Sequence, residues 1–108
     1  MKEIEMERYN EMARISKSLA HPSRLLIVDK LKDKPYNVHE LTELVGSDIS
    51  TVSKHLSLLK NSGIIAPEKR GNKVYYHLRC RCVLGIFSCV LDVMQKNVQS
   101  SQMAVEGI

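Results

Sequence analysis

The chain has no tryptophan and one phenylalanine, and aromatic residues make up only 5% of its 108 positions. Nothing in it signals an aromatic-walled cofactor pocket, so no organic cofactor is expected. No apolar run approaches the roughly 20 residues needed to cross a bilayer. The opening stretch MKEIEMERYNEMARI is charged and helical in pattern, so neither a signal peptide nor a membrane partner is expected, and the cytoplasm is the expected location. A phosphate loop, triad spacing and a paired acid cluster are all missing, which argues against an enzyme. Internal repeats and low-complexity tracts are missing too. Cysteine is scarce and odd in number: Cys80, Cys82 and Cys89, in one late cluster. Without an export signal, that pattern argues against a disulfide framework and leaves metal binding, redox chemistry or plain burial.

What is present fits one small domain. Lys and Arg outnumber Asp and Glu by 16 to 12, a mildly basic balance compatible with a polyanionic partner but weak alone. Residues 3–19 read as an amphipathic helix anchored by Ile4, Met12, Ile15 and Leu19. His21-Pro22 breaks it, and Pro22 suits the first position of a second helix. That helix, Ser23–Lys32, is expected to bury Leu25, Leu26, Val28 and Leu31. Pro35 marks a loop. Asn37 caps a third helix, with Glu40 completing a capping-box pattern, and Gly46 stops it. Ser47-Asp48 then caps a fourth.

The segment SDISTVSKHLSLLKNSGIIAPEKRGNKVYYH, from Ser47, is the most informative. Val52, Leu56, Leu59 and Gly63 follow one helical face, and Ser50, Ser53, Lys54, Ser57 and Asn61 the opposite one. Small hydroxyls plus a cation pack poorly but suit base edges and phosphates in a major groove. The helix should end near Gly63. Two strands follow, Ile64–Glu68 and Lys73–Leu78, around an Arg70-Gly71-Asn72 turn flanked by Lys69 and Lys73. A cationic hairpin tip beside such a helix is a winged helix-turn-helix arrangement, mainly α with a β-hairpin wing.

The last helix, about 80–98, is apolar around most of its circumference, with Val83, Phe87, Val90, Leu91, Val93 and Met94 on several faces. Such a helix must be covered on two sides, and a domain this small covers one. A homodimer through the terminal helices is therefore expected, its two recognition helices about one DNA turn apart. Residues 1–99 form the domain, and 100–108 are expected to be a flexible C-terminal tail.

The stretches LAHPSRLLIVDKL (19–31), VHELTELVGSDISTVSKHLSLLKNSGII (38–65) and GNKVYYHL (71–78) resemble the ArsR/SmtB family of metal-responsive repressors, across nearly the whole chain. The resemblance implies a homodimeric repressor with the order α-α-α-α-β-β-α, bound to an inverted-repeat operator in double-stranded DNA and released by an effector. Carried over by position, Ser50, Thr51, Ser53 and Lys54 face DNA. His55 sits on their flank and Val38 at the start of the third helix. Arg70, Asn72 and Lys73 contact phosphate or the minor groove. Arg24 either reaches a phosphate or pairs within the fold. His77 fits the wing end, and His21 and His39 are not expected to be ligands.

The family's sensing sites match incompletely. The arsenic-type site places two cysteines in the third helix, where this chain has Asn37-Val38-His39-Glu40-Leu41. The zinc-type site starts at positions occupied by Cys80 and Cys82, but its later two positions hold Val93 and Lys96, which cannot serve. The three thiols suit soft ions that accept three sulfurs: As(III) or Sb(III), or alternatively Cd(II) or Pb(II). Arg81 and the helix N-terminus are expected to lower the thiol pKa values of Cys80 and Cys82. Cys82 and Cys89 lie about 10 Å apart along one straight helix. Cys89 would therefore complete the site from the partner chain, unless it faces its own mate on the two-fold axis. A thiol redox or persulfide sensor using the same cysteines is the alternative.

Overall fold

A computed structural model describes residues 1–106. The elements run α1 (Glu3–Lys17), α2 (Pro22–Leu31), β1 (Tyr36–Asn37), α3 (Val38–Val45), α4 (Ile49–Asn61), β2 (Ile65–Arg70), β3 (Lys73–Leu78), a 3-10 turn (Arg81–Leu84) and α5 (Gly85–Glu106). The three strands form one antiparallel sheet in the order β1-β3-β2. This is the expected five-helix winged helix-turn-helix, with one strand more than the hairpin alone.

Helix boundaries follow local chemistry. The His21 ring accepts the Ser23 N–H at 3.0 Å, and Pro22, with no N–H of its own, opens α2. Asn37 and Glu40 form the expected reciprocal capping box, at 2.9 and 3.0 Å. Gly46 ends α3 at φ +77°, a conformation that costs a residue with a Cβ. The Asp48 carboxylate caps α4 by accepting the Thr51 N–H at 2.7 Å. Gly71, at φ +63°, supplies the positive φ that the first residue of a II′ hairpin turn requires. Pro67 is tolerated because β2 is an edge strand.

The core gathers Ile27, Val28 and Leu31 of α2, Leu41 of α3, and Val52, Leu56 and Leu59 of α4 beneath Ile65 and Leu78 of the sheet, with Ile64 just before β2. In α2 Val28 and Leu31 are buried as expected, but Ile27 is fully buried as well, whereas Leu25 and Leu26 are only partly so. No residue of α1 is buried, and Ile4 and Met12, expected anchors, stand exposed.

The C-terminal element departs from the expected single helix over 80–98. Cys80 is extended (φ −132°, ψ 108°), Cys82 lies in the 3-10 turn, and the α-helix starts only at Gly85. Val83 and Leu84 pack on the core from the tight turn, and the poor helix former Gly85 marks the change. Toward the other end, α5 continues to Glu106, past residue 100 where the tail was expected to begin. The last two tail positions, 107 and 108, lie outside the described residues.

Candidate nucleic-acid interface and thiol pair

The apolar face of α4 is anchored in the core, which turns its polar face outward. Ser50, Ser53, Lys54, Ser57 and Asn61 are exposed, and Thr51 is half-buried. The Ser50 hydroxyl donates to the Asp48 carboxylate at 2.8 Å, so it shares in the cap. The Thr51 N–H and the Ser50 hydroxyl hold the Asp48 carboxyl below its ordinary pKa. A cleft of about 340 Å³ separates α4 from the wing, lined by Val38, His39, Ser53, Asn72, Lys73 and Tyr76 among others. The structure thus brings Ser53 of α4 and Asn72 and Lys73 of the wing to one surface. It also places His39 there. Sequence reasoning set His39 aside, although its position two residues after the Asn37 cap was a signal that it opens α3. Arg70 stacks over the Tyr75 ring at 5.2 Å and lies 3.4 Å from the Glu68 carboxylate, with both ends of that pair exposed. Such a pair is worth little, so Arg70 is readily redirected to a phosphate.

His55 requires correction. It belongs to α4 but is buried, not on the flank of the exposed face. Its position, three residues after Val52 and one before Leu56, turns it to the inner side of the helix. There the Arg24 guanidinium lies 3.0 Å from Nδ1, and the His21 ring lies 4.4 Å away, tilted by 46°. Arg24 Nε also donates to the Ser18 carbonyl at 2.6 Å. Arg24 is thus committed within the fold. With a guanidinium as donor, His55 Nδ1 must be an unprotonated acceptor. Burial, then the neighbouring His21 and Arg24, push its pKa below the ordinary histidine value. This polar junction ties α1, α2 and α4 together. His77, at the wing end, has a buried Nδ1 without a hydrogen-bond partner.

The cysteines fall into a pair and a single. Cys80 Sγ and Cys82 Sγ lie 2.8 Å apart and exposed. The contact with Cys82, then its backbone N–H, then the charge of Arg79 lower the Cys80 pKa, while Cys80 raises that of Cys82. The helpful cation is therefore Arg79 and not the expected Arg81, whose guanidinium points away to the Lys32 carbonyl at 3.0 Å. A thiolate with its proton-bearing neighbour in contact is the form that attacks electrophiles or captures soft ions. Cys89 stands apart on α5. Among the described residues, no three His, Cys, Asp or Glu side chains form a metal-binding group within the chain.

A further surface lies between α1, α2 and α5. Leu19, Leu25, Ile86, Phe87, Val90 and Met94 line most of an apolar groove of about 400 Å³. Leu91, 55% exposed, also lines the groove, and Val98, 60% exposed, lies beyond it, so that an apolar strip runs along one helix. Among the described residues, no helix is long and apolar enough to cross a membrane.

Comparison with known proteins agrees with this architecture. The sequence profile of the bacterial regulatory protein, arsR family, matches residues 21–66. A biofilm growth-associated repressor of Xylella fastidiosa is 35% identical over 72 residues, 67% of this chain and 63% of that protein. The chain thus spans less than two thirds of that relative's length. An HTH-type transcriptional regulator of Mycobacterium tuberculosis, Rv0081, is 30% identical over 90% of this chain and 85% of its own. Among solved structures, the homodimeric winged helix-turn-helix DNA-binding domain of Mb0332 from Mycobacterium bovis superposes with a TM-score of 0.78. It is 25% identical, and the match covers 93% of each chain. Both relatives are named as regulators of transcription or repressors. With the profile on the helix-turn-helix, a relative matched along nearly its whole length and the same winged fold, the chain belongs to the ArsR family of bacterial regulatory proteins.

Proposed function

We propose that the chain is a homodimeric, cytoplasmic transcriptional repressor that binds an inverted-repeat operator in double-stranded DNA and is released by thiol chemistry at Cys80 and Cys82. The observation that carries the DNA reading is the shared surface of Ser53, Asn72 and Lys73, with Lys54 exposed beside it. A helix offering hydroxyls and a cation, next to a cationic hairpin tip, matches the two depths of a duplex: base edges and backbone. The apolar groove and strip on α5, beside an α1 with no buried residue, support a second copy of the chain as occupant. The Mb0332 domain is homodimeric.

As effector we propose a soft thiophilic ion, As(III) or Sb(III) before Cd(II) or Pb(II). Two exposed thiols in contact, one of them acidified, suit such an ion. Cys89 of the second copy is the proposed third ligand, since among the described residues no third donor of the same chain joins the pair. The test is a titration of As(III), Sb(III), Cd(II) and Zn(II) into the reduced protein–DNA complex. Cys80→Ser or Cys82→Ser should abolish release and leave DNA binding intact. Cys89→Ser should weaken release. A Cys80→Ser/Cys82→Ser double variant that still responds normally moves the site elsewhere.

A second reading is favoured by the 2.8 Å separation itself, about 0.8 Å longer than a disulfide bond. One hydrogen peroxide can take both thiols to a disulfide, its O–O bond breaking to give two waters. Release by peroxide or polysulfide, and by no ion, would select this redox alternative.

A further inference from the structure

The segment that carries the thiol pair is fastened to the rest of the fold at three points, two at the junction of α4 with β2 and one at the end of α2. The Arg79 N–H donates to the Ile64 carbonyl at 2.9 Å. The Arg79 guanidinium covers Gly63, 3.1 Å from where a Cβ would stand, and Gly63 holds φ +87° at the end of α4. Arg81, between the two cysteines, donates from Nη2 to the Lys32 carbonyl at the C-cap of α2, at 3.0 Å. Gly63 and Ile64 join the recognition helix to β2, the first strand of the wing.

We infer that Arg79 and Arg81 are the positioning residues through which the thiol pair acts on the recognition helix and wing; this rests on the thiol-gated reading above. Thiolates bound at about 2.3 Å to one ion, with bond angles between a right angle and tetrahedral, stand roughly 3.2–3.8 Å apart. The pair here is 2.8 Å apart. Ion capture therefore opens it, whereas a disulfide of about 2.05 Å closes it. Either change moves the backbone of Arg81, which lies between the two cysteines. With its guanidinium held on α2, Arg81 must let go or carry the strain to that helix. On the other side Cys80 directly follows Arg79, so the displacement arrives at Gly63 and Ile64. An effector shifts a conformational equilibrium only through such differential contacts. Neither arginine is on the exposed face of α4 or at the wing tip, so their removal spares the DNA contacts.

The experiment uses the full-length dimer on an operator duplex, with arsenite as probe. Three quantities are read for the wild type, Arg79→Gln, Arg81→Gln and Arg81→Lys: arsenite affinity, DNA affinity without arsenite, and the fold-loss of DNA affinity at saturating arsenite. Arg81→Gln should bind arsenite and DNA as the wild type does, yet lose at least threefold of the arsenite response; Arg79→Gln, which also removes the charge that lowers the Cys80 pKa, should bind arsenite less tightly and still lose at least threefold of the response at saturation. Arg81→Lys, which still offers one donor to the Lys32 carbonyl, should recover part of it. Backbone amide exchange at Gly63–Ile65 in the wild type should change on arsenite binding, a readout independent of the variants. If both glutamine variants are released by the wild-type factor, or exchange at Gly63–Ile65 is unmoved while DNA is released, the inference is wrong. Wild-type protein that binds DNA but ignores arsenite would instead overturn the thiol-gated reading, and the coupling with it.

Discussion

Arg24→Met is the most informative single change in the fold. Methionine keeps an unbranched apolar stem and removes the guanidinium. Two acceptors then lose their donor: the Ser18 carbonyl, held at 2.6 Å, and His55 Nδ1, held at 3.0 Å. Both belong to buried residues. Stranding a buried acceptor costs about 1–3 kcal/mol, and one of these can recruit water at the rim, so a total of roughly 2–4 kcal/mol is expected. For a domain of this size about 1 kcal/mol moves the Tm by roughly 4–8 °C, which puts the fall at about 8–32 °C. Because His55 lies in α4, DNA affinity should drop with stability. Urea unfolding at fixed protein concentration, followed by helical circular dichroism, measures the first, and fluorescence anisotropy on an operator duplex the second. A variant within 0.5 kcal/mol of the wild type on the urea scale, roughly the scatter of a neutral surface change, would refute the role given to this junction.

The same junction makes stability pH-dependent. The His55 pKa is lowered in the fold from 6.5, so the unfolded chain binds the proton first as pH falls. The stability is therefore present above about 6.5 and is lost as pH drops below that value toward the folded pKa, and His55→Gln should flatten this part of the profile. Lys54→Ala should weaken operator binding by about 1–3 kcal/mol if Lys54 reads a base edge, a loss that disappears on non-specific duplex. Arg70→Ala should weaken all duplexes alike, lowering the salt slope by about 0.9 per protomer. Leu91→Glu should place an unpaired carboxylate in the apolar contact between copies and split or unfold the dimer, read by sedimentation velocity. A stable wild-type monomer at micromolar concentration would remove that interface.

The sequence revealed the fold wherever a local rule and the hydrophobic period agreed. Asn37 with Glu40, Asp48, Gly46 and Gly71 each announced a boundary that the structure keeps. The alternation of Val52, Leu56 and Leu59 with Ser53, Lys54 and Ser57 separated the inner and outer faces of α4 correctly. What escaped depends on distant partners. β1 is two residues long and exists through its pairing with Tyr75 and Tyr76, which no local pattern encodes. His55 is polar, and although its spacing from Val52 and Leu56 turns it inward, the partners that make its burial tolerable, Arg24 and His21, arrive from a distant part of the sequence. The outward face of α1 belongs to a surface that one chain leaves uncovered. The 3-10 turn before Gly85 was hidden by apolar residues that fit a continuous helix equally well. That turn carries Cys82 and keeps it off the α-helix that carries Cys89, while the Arg79 N–H, on the Ile64 carbonyl, attaches the segment just past the end of α4.

The most direct test of the central claim is the salt dependence of duplex binding by the reduced, effector-free protein, using an inverted-repeat duplex selected from a random library. Lys54, Arg70 and Lys73 from two copies offer six cations. With four of them on phosphates and Lys54 on base edges, log K should fall linearly with log salt at a slope of about −4, steepening to about −5 if all six meet phosphates, between about 50 and 200 mM, and the complex should hold two chains per duplex. Undetectable binding, or an affinity that does not change with salt, would contradict the account.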